Sequence, residues 1–265
     1  MINSVFQWLT DPAQWSGPDG IPTRTLQHLG YSAVTLLIAA MIAIPLGLVV
    51  GHTGRGRSLV TVANALRAVP SLGLLFAISL WLGPKIQGSL AFVIPSVIVL
   101  VLLAIPPILS GTYAGIEAVD PAARDAAKGM GMRGPEVLRV VELPCALPLL
   151  MSGLRSAALQ VIATATIASS VSLGGLGRYL IDGLASNQYE VMAGGAICVA
   201  ALALLIDLAM AGLQRAVVSP GLTGKYRQSS RVASDNDSAD SATDGDGEAL
   251  ERRIPAEGMI SAKLS

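Results

Sequence analysis

Long apolar runs that contain no charged residue are the feature that most restricts how this chain can fold. The stretch Leu29–Val50 is uncharged, and so is the longer stretch Ile86–Ile116. About 20 apolar residues in a helix are enough to cross the roughly 30 Å hydrocarbon layer of a bilayer. Backbone polar groups must be paired inside lipid, so each run is expected to be helical. The runs therefore predict an all-α integral membrane protein.

About five transmembrane helices are predicted from the positions of these runs. Charged residues make up only 14% of the chain, whereas a soluble domain has about 25%, which argues against an ordinary soluble enzyme. Within Leu143–Gly177 a sixth crossing or a re-entrant segment stays open. The expected spans are Leu29–Val50, Ala68–Pro84 with a backward extension into Ser58–Leu66 left open, Leu90–Ser110, one segment within Leu143–Gly177, and Val191–Leu213.

The distribution of basic residues predicts the orientation in the membrane. Lys and Arg accumulate in the loops on the cytoplasmic side of membrane proteins. This rule gives an external N-terminus, a cytoplasmic C-terminus and a multi-pass location in the plasma (inner) membrane. Residues 1–27 are then an external segment, and residues 28–216 form the transmembrane domain. The basic residues assigned to the cytoplasmic side are Arg55, Arg57, Arg67, Arg124, Lys128, Arg133, Arg139, Arg215, Lys225, Arg227 and Arg231.

Three charged residues lie at the margins of the predicted spans. Arg67 and Arg155 are placed at cytoplasmic ends of spans, where a long side chain reaches the interface. Asp207 is too short to do so. We expect it to pair with one of the two arginines or to lie in water near the inner face. Because acids within membranes are often functional, a transport role for Asp207 is left open.

The polar loop 113–144, between the third and fourth spans, has the pattern of a helical hairpin. Asp120 is a good N-cap and Pro121 a good first helical residue. Gly129 or Gly131 can end this helix, and a second short helix is expected to begin at Pro135 and run towards Pro144. The small alanines of the first helix would let another protein approach closely.

No motif for ATP or dinucleotide chemistry is convincing. Residues 129–134 match G-x-G-x-x-G, but they follow a predicted helix rather than a strand, so nucleotide binding is not indicated. The sequence also lacks a P-loop. We therefore predict a non-catalytic chain with no cofactor, no metal site and no nucleic-acid partner.

The hairpin loop resembles the EAA loop of type I ABC importer permeases. The matching positions are Asp125-Ala126-Ala127, then Gly131, then Val141-Glu142-Leu143-Pro144, with Asp and Val replacing the usual Glu and Ile. The resemblance implies a permease fold with alternating access and assigns ATPase coupling to Asp125, Ala126, Ala127, Gly131, Val141, Leu143 and Pro144. The partners it implies are a cytoplasmic ABC ATPase, an extracytoplasmic substrate-binding protein, a second permease subunit and membrane lipid.

The segments around the loop look most like permeases of osmoprotectant importers, for glycine betaine, carnitine, choline or proline. The stretch Leu173–Leu184 contains their Gly-Gly-Leu-Gly segment, in which Gly174, Gly175 and Gly177 suit a gate or a docking surface for the binding protein; a plain turn fits equally well. That segment also occurs in methionine importer permeases. A methionine or other amino-acid importer, and an autonomous channel or secondary carrier, therefore remain alternatives.

The C-terminal segment 217–265 differs in composition from the rest of the chain. Its residues 232–265 hold eight acidic and three basic side chains, and residues 228–265 contain no aromatic residue. Such a segment cannot bury enough apolar surface to order itself, so we expect a disordered acidic cytoplasmic tail.

Overall fold

The chain folds into helices only, within the part that can be described. The computed structural model describes residues 2–88, 90–171 and 173–218, and these residues contain ten α-helices and no strand. The predicted all-α fold is confirmed, whereas the acidic tail lies outside the described residues from position 219 onward. The helices are α1 (Ile2–Thr10), α2 (Ile21–Thr53), α3 (Arg57–Ala65), α4 (Ser71–Leu82), α5 (Leu90–Glu117), α6 (Pro121–Gly129), α7 (Gly134–Val137), α8 (Leu143–Ala168), α9 (Gly177–Ala185) and α10 (Tyr189–Val217).

Four helical segments are long and apolar enough to cross a membrane, and a fifth crossing is formed if the bent pair α3–α4 is one broken span. The four are Ile21–Thr53, Leu90–Glu117, Gly134–Val171 and Tyr189–Val217. Each contains or overlaps a predicted span and extends beyond it. The span at the N-terminal side begins at Ile21, so part of the segment 1–27 belongs to its first turns.

The second predicted span is not one continuous helix. Its two halves, Arg57–Ala68 and Ser71–Lys85, are bent by 92° at the break between them. Val69 at the break has an extended backbone, as the ring of a following proline requires, and Pro70 caps α4. The backward extension into Ser58–Leu66 that the sequence left open is helical, but it meets α4 at this bend, and Pro70 is the reason.

The fourth span begins earlier than the sequence suggested. Helix α7 continues through a π-helical turn, Leu138–Glu142, into α8, so that Gly134–Val171 is one helical segment. The expected second short helix is therefore the first turn of the span and not a separate element. No sixth crossing or re-entrant segment lies in the described part of 143–177, because α8 runs through most of it.

Helices α2, α5 and α8 form the centre of the bundle, and glycines let them approach closely. A Cβ on Gly153 of α8 would lie 2.6 Å from the Pro107 carbonyl oxygen of α5, and one on Gly111 would lie 2.8 Å from the Cα of Gly153. On the other side of α5, a Cβ on Gly47 of α2 would meet Thr112 at 2.7 Å. Small residues of this kind are typical of helix interfaces in membranes.

The remaining helices pack around this centre. Helix α10 packs on α8 and α9, and α1 packs on α10, where the Trp8 ring fills the space left by Gly194. Trp8 also meets the ring of Tyr179 edge to face, with centroids 5.2 Å apart. Residues 2–15 therefore form a helical N-terminal element that is attached to the bundle.

The bundle has two distinct ends. The hairpin end carries α6 together with the last turns of α2 and α5 and the first turns of α8. The glycine-loop end carries residues 173–177, which follow the last turn of α8.

Candidate functional site

Helix α6 begins as its sequence predicts. The Asp120 side chain accepts a hydrogen bond from the Ala122 N–H at 2.9 Å, and Pro121 is the first helical residue. This cap satisfies one of the backbone donors that the first helical turn leaves unpaired. The start of the hairpin is therefore fixed by its own sequence.

Helix α6 ends in a Schellman motif centred on Gly131. The Met132 N–H donates to the Ala127 carbonyl at 3.2 Å, and the Gly131 N–H donates to the Lys128 carbonyl at 2.9 Å. Gly131 has a φ of +89°, a conformation that side chains rarely adopt. Of the two glycines predicted to end the helix, Gly131 is the one that does so.

The predicted coupling residues of α6 divide into an outer and an inner face. Asp125 has 78% of its side chain exposed, Ala126 is exposed as well, and Ala127 is buried at 1% exposure. The inner residue packs towards the bundle, and the outer residues present a small-residue surface.

The second group of predicted coupling residues lies at the base of the hairpin. Val141 and Leu143 are half-buried and Pro144 is exposed, at the junction of the π-helical turn with α8. They therefore do not extend the outer face of α6. They form the connection between the hairpin and the fourth span.

Sequence reasoning missed the residue that joins these two groups. Glu142 is only 2% exposed, and its carboxylate contacts His52 at the end of α2 and Arg124 on α6. An acidic residue inside the apolar run Val140–Ala146, two residues before Pro144, was a signal in the sequence. The two partners could not be identified, because they lie in other helices.

The three predicted intramembrane charges are only partly brought together. Arg155 and Asp207 form a two-bond ion pair between α8 and α10, with both nitrogen–oxygen distances at 2.5 Å. Arg67 is exposed at the bend between α3 and α4 and is not part of this pair. Arg155 lies twelve residues, or about 18 Å, into α8, so it is inside the span and not at its end. Of the alternatives left open for Asp207, pairing with Arg155 is the one observed.

The glycine loop is packed against the start of α2. The Gly175 N–H donates to Gln27 Oε1 at 3.3 Å, and a Cβ on Gly175 would lie 3.1 Å from His28 Nδ1. Gly174 and Gly175 both have positive φ, and a side chain on Gly177 would overlap the Thr166 carbonyl oxygen. Gly175 and Gly177 are buried, so the glycines hold the loop close to the bundle.

Further polar contacts at this end join α2 to α8 and tie Asp19, just before α2, to α9. Buried His28 bonds the Ile162 carbonyl at 3.1 Å through Nε2, and Arg24 pairs with Asp19. The Tyr179 hydroxyl donates to the Asp19 carbonyl at 2.5 Å, and burial raises the pKa of Tyr179. In the described residues no three side chains of the His, Cys, Asp and Glu types are grouped to hold a metal ion.

Solved structures define the class to which this bundle belongs. A chain in the inward-facing structure of the MetNI methionine ABC transporter is similar to it with a TM-score of 0.68, at 21% identity, over 79% of this chain and 100% of that chain. A chain in the structure of an amino acid ABC transporter with histidines aligns with a TM-score of 0.57, at 20% identity, over 74% and 91% of the two chains. The fold is that of a type I ABC importer permease.

The family follows from the sequence. Residues 31–219 match the family described as "Binding-protein-dependent transport system inner membrane component", and the chain belongs to that family. It is a multi-pass component of the inner membrane.

Curated relatives cover most of the chain. The glycine betaine/carnitine/choline transport system permease protein OpuCB of Bacillus subtilis is 35% identical over 76% of this chain and 90% of its own length. The choline transport system permease protein OpuBB of the same organism is 34% identical over 75% and 89%. The osmoprotectant import permease protein OsmW of Salmonella typhimurium is 31% identical over 76% and 94%.

Proposed function

We propose that this chain is the permease subunit of an ATP-driven importer for osmoprotectants of the glycine betaine, carnitine, choline and proline class. The observation that carries the proposal is helix α6, which is capped at both ends and exposes Asp125 and Ala126 beside the buried Ala127. The substrate class is taken from relatives at 31% to 35% identity that are named for such solutes.

In the proposed mechanism the chain performs no bond chemistry. Two permease subunits form the pathway, and each α6 docks on a separate ATPase subunit that hydrolyses ATP. Closure of the ATPases draws the two α6 helices together and turns an inward-open pathway into an outward-open one. A substrate-loaded binding protein on the other side biases the same equilibrium, so nucleotide and substrate are linked through two conformations of the permease.

The proposed orientation places the hairpin end in the cytoplasm and the N-terminus outside. Exposed basic residues at or near the hairpin end support it, because short cytoplasmic loops carry most of the Lys and Arg of a membrane protein. These residues are Arg55, Arg57, Lys128, Arg133 and Arg139. The glycine-loop end then faces the binding protein, and Gly174, Gly175 and Gly177 keep a gate or docking surface compact there.

The Arg155–Asp207 pair is proposed to lie beside the pathway or the second permease subunit. Its side chains are 37% and 23% exposed on the surface of this chain, within segments long enough to span the bilayer. Charged groups are costly against lipid, so a bundle surface that carries them suits protein or water better than acyl chains. Arg67, which is exposed at the α3–α4 bend, is proposed to reach the interface with its long side chain.

Uptake of labelled glycine betaine tests the proposal. Cells that produce this chain with its ATPase and binding-protein partners should accumulate the label, and cells carrying Gly131→Asp should not, although the variant reaches the membrane. Full uptake without an ATPase subunit would favour an autonomous channel or carrier. Competition by excess methionine but not by carnitine or choline would favour the amino-acid alternative.

The acidic tail is proposed to be dispensable for transport. It lies outside the described residues, and the family match ends at residue 219. A chain truncated after Arg231 is expected to take up label at the wild-type rate in low-salt and high-salt media. A change in osmotic activation would show that the tail has a regulatory role.

A further inference from the structure

One buried carboxylate lies where the hairpin joins the spans. Glu142 Oε2 is 2.7 Å from His52 Nδ1, and Glu142 Oε1 is 2.9 Å from Arg124 Nε. An ionised carboxylate that is removed from water must be paired with other charges or hydrogen-bond donors. The His52 contact has the geometry of a hydrogen bond, whereas the Arg124 contact is a close charge pair in which Nε makes no hydrogen bond. Since each oxygen faces its own partner, loss of either partner leaves part of a buried charge uncompensated.

Arg124 extends this cluster to a fourth element. Another nitrogen of its guanidinium donates to the carbonyl of Ile116 in the last turn of α5. The guanidinium is planar and rigid, so its contacts with Glu142 and with α5 move together. Through Glu142 and Arg124, the hairpin helix α6 is tied to the ends of α2 and α5 and to the start of α8.

His52 is held on both sides. Its Nδ1 faces the Glu142 carboxylate, and a Cβ on Gly134 would lie 3.4 Å from its Nε2. The ring therefore fits between the carboxylate and the first residue of α7. This packing fixes the end of α2 against the base of the hairpin.

Other ion pairs at the hairpin end are exposed. Arg57 and Glu117 are 2.9 Å apart with 67% and 47% of their side chains exposed, and Asp125 and Lys128 are 3.8 Å apart at 78% and 62%. Exposed ion pairs contribute little to stability, because water screens the charges and can hydrogen-bond to either side chain when the pair separates. Among the described residues, Glu142 is the only acidic side chain that is buried.

We propose that Glu142 is a positioning residue that transmits the movement of α6 to the ends of α2, α5 and α8. This inference rests on the proposed function, in which α6 is the helix that docks on the ATPase. Apolar contacts such as that of Ala127 allow sliding, but a buried ion pair cannot part without stranding charge away from water. Displacement of α6 therefore moves the three span ends with it.

The test uses the full importer, with ATPase and binding protein, reconstituted in lipid vesicles. Glu142→Gln keeps the shape of the side chain and removes its charge. Its complex should assemble and hydrolyse ATP without binding protein at a rate within about twofold of wild type. Stimulation of hydrolysis by loaded binding protein, and glycine betaine imported per ATP, should both fall by about fivefold or more, the range of a typical coupling energy.

Glu117→Gln is the matched control. It removes the same charge from the same end of the bundle, but its side chain is 47% exposed. In this variant the stimulation of hydrolysis by loaded binding protein and the amount of glycine betaine imported per ATP should both stay at their wild-type values. Equal losses in Glu117→Gln and Glu142→Gln would overturn the inference, because charge at this end and not the buried contact would then matter.

The remaining outcomes are also decisive. Wild-type ratios in Glu142→Gln overturn the inference, and so does a loss of thermal stability with unchanged import per ATP, since that is a purely structural role. If the complex with Glu142→Gln does not assemble, Glu142→Asp replaces it, because the shorter side chain keeps the charge but withdraws it from His52 and Arg124. Reduced coupling in the Glu142→Asp importer supports the inference. Normal coupling in that importer overturns it. Absence of ATP-dependent uptake in wild type would instead refute the proposed function.

Discussion

At the scale of single residues, Gly131 shows how one backbone angle shapes the hairpin. Its φ of +89° closes the Schellman motif at the end of α6, although nothing lies within 4 Å of a Cβ placed there. The requirement for glycine is therefore one of backbone conformation and not of space. Gly129, two residues earlier, also has open space but an ordinary helical backbone.

The same substitution at these two glycines should have opposite effects. Gly131→Ala is expected to destabilise the end of α6 by about 1–2 kcal/mol, the cost of a left-handed conformation in a residue with a Cβ. Gly129→Ala is expected to stabilise the helix by up to about 1 kcal/mol. Thermal unfolding of the purified chain measures the stability of each variant, and uptake by cells measures its transport rate. Similar losses in the two variants would contradict the conformational explanation.

The Arg155–Asp207 pair gives a second prediction at this scale. Arg155→Gln or Asp207→Asn alone should reduce the yield and thermal stability of the chain, because each leaves one charge unpaired within a span. The double variant Arg155→Gln/Asp207→Asn should recover much of both, since no unpaired charge remains. Thermal unfolding in detergent compares the three variants. If the double variant loses the sum of the single losses, the two residues act independently.

Sequence alone could predict the local parts of this site but not its contacts. The cap at Asp120 and the stop at Gly131 depend on neighbours within a few residues, so the order of residue types indicates them. The contact between His52 and Glu142 joins residues 90 positions apart, and no spacing rule connects them. The pairing of Arg155 with Asp207 was one of several alternatives for the same reason.

At the scale of elements, the crossing of α5 and α8 depends on two facing glycines. The backbones meet directly at Gly111 and Gly153, where a Cβ on either residue would come within 3.0 Å of the other's Cα. Interhelical hydrogen bonds and van der Waals contact drive helix association in lipid, so close approach has a direct energetic benefit.

Gly153→Val should therefore disrupt the bundle. The added atoms would overlap the Pro107 carbonyl, and overpacking of this kind costs about 1–3 kcal/mol or more. Gly30→Ala is the control, because Gly30 lies in the span helix α2 with nothing within 4 Å of its added Cβ. Membrane yield and thermal unfolding should fall for Gly153→Val only. A normal yield of that variant would show that the helices can separate at this point without penalty.

The positions of helices could be predicted where apolar runs and caps determine them. They were harder to predict where tertiary packing determines them. The five apolar runs were found, but the bend at Pro70 and the early start of the fourth span at Gly134 were not. A proline permits either a kink within one helix or a break between two helices, and packing selects between them. The attachment of Trp8 to Gly194 likewise depends on distant parts of the chain.

At the scale of the whole molecule, sidedness is the property that decides the mechanism. In the proposed mechanism an ATPase subunit can reach α6 only if the hairpin end faces the cytoplasm, and that orientation is proposed from the positions of basic residues. The fold itself is compatible with either orientation, because helices pack identically in both.

Cysteine labelling tests the orientation. In a chain with Cys145 and Cys198 replaced by alanine, a membrane-impermeant maleimide added to intact cells should label Ser4→Cys and not Lys128→Cys. After permeabilisation both should react, because both positions are exposed. Labelling of Lys128→Cys in intact cells would place the hairpin outside and refute the coupling mechanism. The second labelling step is the control for reactivity.

The π-helical turn at Leu138–Glu142 determines the azimuth at which the hairpin leaves the membrane. A π turn accommodates a surplus residue that an ordinary α-helix would not, and each residue of an α-helix advances by about 100° around the axis. Deleting one residue from this turn would therefore regularise the helix and leave the preceding segment facing almost the same way, whereas deleting one residue from the regular helix α8 would rotate that segment by roughly a quarter of a revolution. After the deletion in α8 the hairpin would still be folded, but α6 would face away from the ATPase subunit on which it is proposed to dock.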